Sequence, residues 1–495
     1  MSDEIKSRLD ERPETHRRER SVPKAPAYEK LPAARRRVAR SGPVVTEIDV
    51  RAEVVTPILG GSSQTRTIDD IDVIRPATVR GHLRFWWRAL SANKFQSSKE
   101  LYARESEIWG RTATEQGGRS AVEICIDVQK AGAIDESDIR LYDSRDGKAT
   151  LGAYALWPAR EEKKTSTPPA SRRVPGTQFR LTLAAAASCE TEVRNALRAW
   201  ILFGGYGGRT RRGLGSLRVL DDLGSWLPSN ATRDAIKDLF GCDVLASPAN
   251  APGDSPWLGG AALQVGKAER DPMKAWTTAL DWLKEFRQGT SGQQGDRARE
   301  PGAGKPQPQR PSISNWPEAD KIRHIKRKTS AHAPHHNANS VWPRAGFGLP
   351  IIGQFQTKAR DGSRFDEPGP FELCWRSPKK DRPREFDEHD RLASPLIVKA
   401  LPLADGTFVP RIWSAKEAIL KLVGLGLRID TRGVEVSLRR GPGSGQGEAF
   451  VDRPAGWQPV EVKVLAKLPR QDLLANLRVA WRRARNCILT VAVAG

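Results

Sequence analysis

The segment Gly204–Ser216, GGYGGRTRRGLGS, constrains this chain more than any other. It follows a helical pattern ending at Phe203 and precedes a strand pattern, SLRVLDD (216–222). The chain must therefore turn from helix to strand across a stretch that glycine leaves free to adopt conformations closed to other residues. A Walker loop needs GxxxxGK[ST] between a strand and a following helix, and a dinucleotide fingerprint has the same polarity. This segment runs the other way and has no lysine, which excludes both folds. Glycine also lets backbone N–H groups approach an anion, and Arg209, Arg211 and Arg212 are built to fork around phosphate oxygens. The expectation is a flexible loop that holds phosphate.

The surrounding patterns give an element order. VVTEIDVRAEVVTPI (44–58) is β-branched and roughly alternating, the mark of a strand. Pro76 opens a helix to about Leu90, at the position where proline is tolerated. Residues 99–110 read as a second short helix, and 121–129 and 177–186 as strands. Residues 190–203 form a helix with Glu190 and Glu192 in its first turn, where they complement the dipole. The order β-α-β-β-α-β predicts an α+β fold with a ferredoxin-like (RRM-like) unit over 44–225. A second such unit is expected over 226–495, with a strand at LQV and a helix over 271–286. There follow a Gly/Pro/Gln-rich insert over 287–311, strands in FGLPIIGQF and SPLIVKALPL, and a terminal helix and strand.

Charge narrows the partners. The 495 residues hold 81 Lys+Arg against 59 Asp+Glu, a formal net charge of +22. That excess favours a polyanion such as nucleic acid. Residues 1–43 hold 12 Lys/Arg and 7 Asp/Glu and lack apolar periodicity, so they read as a disordered basic tail. No apolar run approaches the roughly 18 residues of a membrane span. The first twenty residues have no apolar core of a secretory signal. The cysteines at 125, 189, 242, 374 and 487 form no CxxC pair. Together these predict a cytoplasmic protein with no membrane contact, no disulfide framework, no resident metal and no cofactor.

Two helices show arginine stripes. In RPATVRGHLRFWWRAL, Val79, Leu83, Trp86 and Leu90 form the inward stripe, and Arg80, Arg84 and Arg88 lie four apart beside it. Like charges at that spacing repel, so either acidic neighbours or an anionic ligand must compensate. The helix over 190–203 repeats the design with Arg194 and Arg198. Trp86 and Trp87 are open to two readings, core packing or base stacking. A further basic cluster, DKIRHIKRK (320–328), supplies Arg323, Lys326 and Arg327. It leads into a loop whose His332, His335 and His336 lack the spacing of a metal site.

The motifs TPILGG, RPATVRGHLRFWWRAL and GGYGGRTRRGLGS resemble those of RAMP-superfamily CRISPR proteins. ISNWPEADKIRHI, WPRAGFGLPI and RLASPLIVKAL, in order, look like the first-numbered subunits of type III-B Cmr effector complexes. The resemblance implies two RAMP domains, a place in a multisubunit ribonucleoprotein, and contacts to guide and target RNA and to other RAMP-type subunits, without catalysis. It marks Gly205, Gly207, Gly208, Arg209, Arg211, Arg212, Gly213 and Gly215 in the loop, and Arg84, Trp86, Trp87 and Arg88 on the first helix. Without Trp86, and with Arg80, Arg323, Lys326, Arg327 and Arg344, these are the expected RNA contacts. The rival reading is a metal-independent, guide-processing endoribonuclease, for which His82 is the one candidate base in the first unit. A third uses Asp69, Asp70 and Asp72 of TIDDID as metal ligands.

Overall fold

The alternation read in the first strand is what the backbone shows. In β1 (Val45–Val54), Ile48, Val50, Ala52 and Val54 are buried while Glu47, Asp49 and Arg51 are exposed. The structure, a computed structural model, describes residues 45–288 except 63, 112–117, 141–149, 164, 247–255, 257 and 260. It also describes 351–353, 371–373, 375–378, 386–389, 394, 396–415 and 436–437. The expected tail over 1–43, the cluster over 320–328, His332, His335, His336, Arg344 and the terminal helix and strand lie outside the described residues.

After β1 come β2 (Ile58–Leu59), α1 (Pro76–Ser91), α2 (Ser98–Trp109), β3 (Val122–Lys130), β4 (Ile134–Asp135) and α3 (Ala153–Leu156). Then follow β5 (Arg172–Arg173), β6 (Thr177–Ala186), α4 (Glu190–Phe203) and β7 (Leu217–Val219). Strands β3, β6, β1 and β7 form one antiparallel sheet in that order, so its chain order is β-α-β-β-α-β. Helices α1 and α4 cover one face. Val79, Leu83 and Trp86 of α1 and Val193, Leu197 and Trp200 of α4 enter the core with the inward residues of β1 and β6. Ser97 caps α2 by accepting from the Glu100 N–H (3.3 Å), and Pro76 stands in the first turn of α1.

Helices α5 (Leu223–Trp226) and α6 (Arg233–Phe240) extend the same core, with Trp226, Ile236 and Phe240 buried in it. The next elements are β8 (Ala261–Val265) and α7 (Pro272–Gln288), then β9 (Ile351–Gly353), β10 (Phe371–Leu373), β11 (Trp375–Pro378) and β12 (Phe386–His389). Strands β13 (Leu396–Pro402), β14 (Phe408–Ala415) and β15 (Val436–Ser437) complete the set. Strands β13, β14 and β8 pair antiparallel in that order, which makes a β-α-β-β run with α7.

Strand β13 is buried on both faces. Leu396, Val398 and Ala400 pack on Trp276, Ala279 and Leu280 of α7, while Leu401 belongs to the core shared with α1 and α4. Lys399, with no solvent exposure, donates Nζ to the carbonyls of Ile201 (2.7 Å) and Gly204. Those carbonyls lie at the end of α4, where helix carbonyls lack partners and a cation is favoured. Burial pushes this lysine's pKa down to about 7.

Candidate nucleic-acid interface

The glycine segment is a closed turn, not the flexible cradle its composition suggests. It leaves α4 at Gly204 and returns on itself, with the Tyr206 N–H donating to the Gly215 carbonyl (2.9 Å). The Gly208 N–H donates to Leu59 (2.5 Å) and the Gly215 N–H to Pro57 (2.9 Å), so the turn is stitched to the TPILGG segment. Thr56 Oγ1 donates to the Gly213 carbonyl (2.7 Å) and accepts from the Ser216 N–H (2.8 Å). Trp276 of α7 donates Nε1 to the Arg212 carbonyl (2.7 Å). These donors already serve protein acceptors, so they are closed to phosphate. Glycine is required for close packing. Gly213 (φ +80°) and Gly215 (φ +65°) are left-handed, and a Cβ would lie 2.5 Å from the Trp276 ring at Gly213 and 1.8 Å from the Tyr206 carbonyl at Gly215.

The three loop arginines part company. Arg211 donates to the Ser394 carbonyl (2.5 Å) and stands 5.9 Å from the Phe85 ring centroid, and its burial lowers its pKa. Arg212 donates to Ser394 Oγ (3.2 Å). Both tie the turn to the segment that enters β13. Arg209, itself left-handed at φ +58°, is the exposed arginine of the three. Beside it, Gly60 (φ +71°) and Gly61 (φ +117°) follow Leu59, and a Cβ at either would meet nothing within 4 Å. Gly60 and Gly61 thus form a short open backbone surface, anchored through Leu59 to the closed glycine turn and its one exposed guanidinium. Sequence reading left Gly60 and Gly61 out of the site, although TPILGG carried the signal.

On α1 the compensation for the like charges is internal. Arg84 pairs with Glu105 of α2 (2.6 Å), and Arg88 Nε lies 3.7 Å from the second oxygen of the same carboxylate, which is 2 % exposed. Arg80 donates to Ser120 Oγ (2.7 Å) and the Val122 carbonyl (3.2 Å). On α4, Arg194 pairs with Glu190 (2.6 Å) and Arg198 donates to the Ser225 carbonyl. Trp87 is corrected from RNA contact to core: it is 1 % exposed, with Nε1 donating to Glu192 (2.8 Å), so neither ring face is open to a base. Trp86 is buried against Phe85 and Phe203.

The acids of TIDDID hold the loop before α1. Asp69 pairs with Arg75 and accepts from the N–H groups of Ile71 (3.0 Å) and Asp72 (2.8 Å), and Asp70 pairs with Arg173 (3.1 Å). No cluster of three metal-ligating side chains occurs among the described residues. His82 sits between the rings of Trp200 and Tyr206, its Nδ1 buried without a partner, and burial lowers its pKa to about 4.

The open face of the β3-β6-β1-β7 sheet is the surface on which an RRM-like fold stacks bases. Here it holds the exposed residues Glu123 and Asp127 of β3, Glu47, Asp49 and Arg51 of β1 and Arg180 of β6. Arg180 pairs with Asp49 (2.7 Å), Arg51 with Asp221, and Arg218 with Glu53. That face is a grid of ion pairs with carboxylates in excess and no aromatic, a poor platform for RNA. The glycine junction is the better candidate.

The family model of the RAMP superfamily matches residues 51–218, which include both glycine segments and α1 to α4. No curated protein matches the chain. Among solved structures, the chain is similar to apo Cmr1 from Pyrococcus furiosus at 15 % identity, covering 75 % of this chain and 87 % of that one, with a TM-score of 0.40. It is also similar to a chain of the type III-B Cmr-beta complex bound to cognate target RNA and AMPPnP in the presence of single-stranded DNA. That likeness has 12 % identity, 77 % and 99 % coverage, and a TM-score of 0.35.

Proposed function

We propose that this chain, whose residues 51–218 match the RAMP superfamily, is a non-catalytic RNA-binding subunit of a type III-B CRISPR (Cmr) effector complex. In this reading it is built of two ferredoxin-like RAMP domains and holds guide and target RNA beside other RAMP-type subunits in the cytoplasm. The observation that carries it is the open Gly60–Gly61 backbone, inside the matched stretch and stitched to the closed glycine turn that presents exposed Arg209. A backbone surface without side chains lets a phosphodiester come close, and the guanidinium supplies charge. Sequence is read by guide–target pairing, so the protein needs no base-specific contacts there. The motifs in order along the chain and the net charge of +22 support the same partner class.

The endoribonuclease alternative rests on His82. A general base works best with a pKa near the working pH, and about 4 is far below it. The test uses end-labelled guide-repeat and target RNA incubated for hours with excess full-length protein, with and without Mg²⁺. Retained, intact RNA is the expected result. Site-specific cleavage that vanishes in His82→Ala while binding persists would overturn the non-catalytic assignment.

A further inference from the structure

Trp157 is the most exposed tryptophan among the described side chains. Those at 86, 87, 109, 200, 226 and 276 are each less than a tenth exposed and Trp282 is half-buried, whereas Trp157 keeps 37 % of its surface open. The cause is local. Trp157 opens a 3₁₀ turn over Trp157–Ala159, with Leu156 and Ala159 buried, so Trp157 and Pro158 are left outside. The Arg160 guanidinium lies over the indole, 4.4 Å from its centroid. It is held there by the Trp157 carbonyl (3.3 Å) and the Glu162 carboxylate (3.3 Å). The turn is fixed from a second side by Arg66, which donates to the carbonyls of Pro158 (2.9 Å), Ala159 (3.4 Å), Arg160 (2.7 Å) and Pro168 (2.6 Å).

This ordered stack neighbours the glycine junction by two routes. Arg66 lies in the loop between β2 and α1, seven residues beyond Leu59, a stretch that spans at most about 25 Å. The Trp276 ring touches Gly152, the residue before α3, and its Nε1 holds the Arg212 carbonyl. We propose that the Trp157–Arg160 stack is a platform for one unpaired nucleobase of the RNA strand held at the glycine segments. The proposal rests on the RNA-binding reading and names a contact that reading does not require. A planar aromatic carrying a guanidinium offers a π-face and a positive charge together, which suits any base and gives no sequence preference. A base inside a duplex has no free face to give it.

The test measures binding of the full chain to a single-stranded oligouridine of about twelve nucleotides and to an abasic ribose-phosphate strand of the same length. Wild type is expected to prefer the strand with bases. Trp157→Ala should lose about 5- to 150-fold in affinity for that strand and retain its affinity for the abasic one, with an unchanged salt slope. Trp157→Phe should restore most of the loss. Equal binding of oligouridine by wild type and Trp157→Ala would overturn the platform and leave the glycine junction standing. Binding of neither strand by wild type would overturn both readings. Should Trp157→Ala fail to fold, the wild-type comparison decides alone, since equal affinity for the two strands also overturns the platform.

Discussion

At the scale of single residues, Lys399 is the most deeply buried cationic side chain among the described residues. Its ammonium is wholly buried, faces two carbonyls at the end of α4, and titrates near 7 instead of 10.5 because burial penalises the charge. The sign follows from proton counting. Between those values the unfolded chain binds the proton and the folded chain does not, so stability rises with pH across that window. The contribution approaches a slope of about 1.4 kcal/mol per pH unit. Urea titrations at pH 7, 8 and 9 should show stability rising more steeply in wild type than in Lys399→Met. Parallel curves would mean that the lysine stays charged in the fold. Nothing in the sequence around SPLIVKALPL separates this lysine from a solvated one, because its partners lie in a helix far upstream.

At the scale of elements, the two glycine segments divide into positions that pack and positions that stay open. Gly215→Ala would place a methyl group against the Tyr206 carbonyl in a left-handed backbone, and at least about 2 kcal/mol of stability should be lost in denaturant titration. Gly60 has the same backbone sign and empty space around it, and asparagine tolerates that conformation. Gly60→Asn should therefore melt close to wild type yet bind RNA several-fold more weakly. Normal binding would move the contact elsewhere. Much of the element order was legible: β6 and α4 fall where alternation and the helical stripe place them, because β6 and the first turns of α4 each bury one side more than the other. The loop's role was not legible. A run of glycines looks alike whether it is open to solvent or wrapped around the ring of Trp276, and only the tertiary contact tells them apart. Of the two kinds of compensation the sequence left open for the α1 arginines, the structure shows the acidic neighbour for Arg84 and Arg88, and Glu105 supplies it from another helix.

For the whole molecule, the charge of +22 is spread unevenly over what it can do. On the open sheet Arg180, Arg51 and Arg218 pair with carboxylates, as do Arg84 of α1 and Arg194 of α4, and Arg209 is the exposed member of the loop trio. Binding constants plotted as log K against log salt should fall linearly, and Arg209→Ala should flatten the slope by close to one unit. Arg84→Ala should leave the slope alone and lower the melting temperature, because it strips a buried carboxylate of its closest partner. The reverse outcome would exchange the two roles. The halves of the described chain are joined by β13, which gives one face to α7 and the other to the core of α1 and α4. That arrangement sets a schedule for the nascent chain. The lysine that closes the end of α4 lies 198 residues downstream of Ile201. At a synthesis rate of about 5–20 residues per second, α4 emerges roughly 10–40 s before its cap exists. Through that interval the first sheet can assemble while the turn beyond Phe203 is still waiting for the lysine and the indole that will hold it.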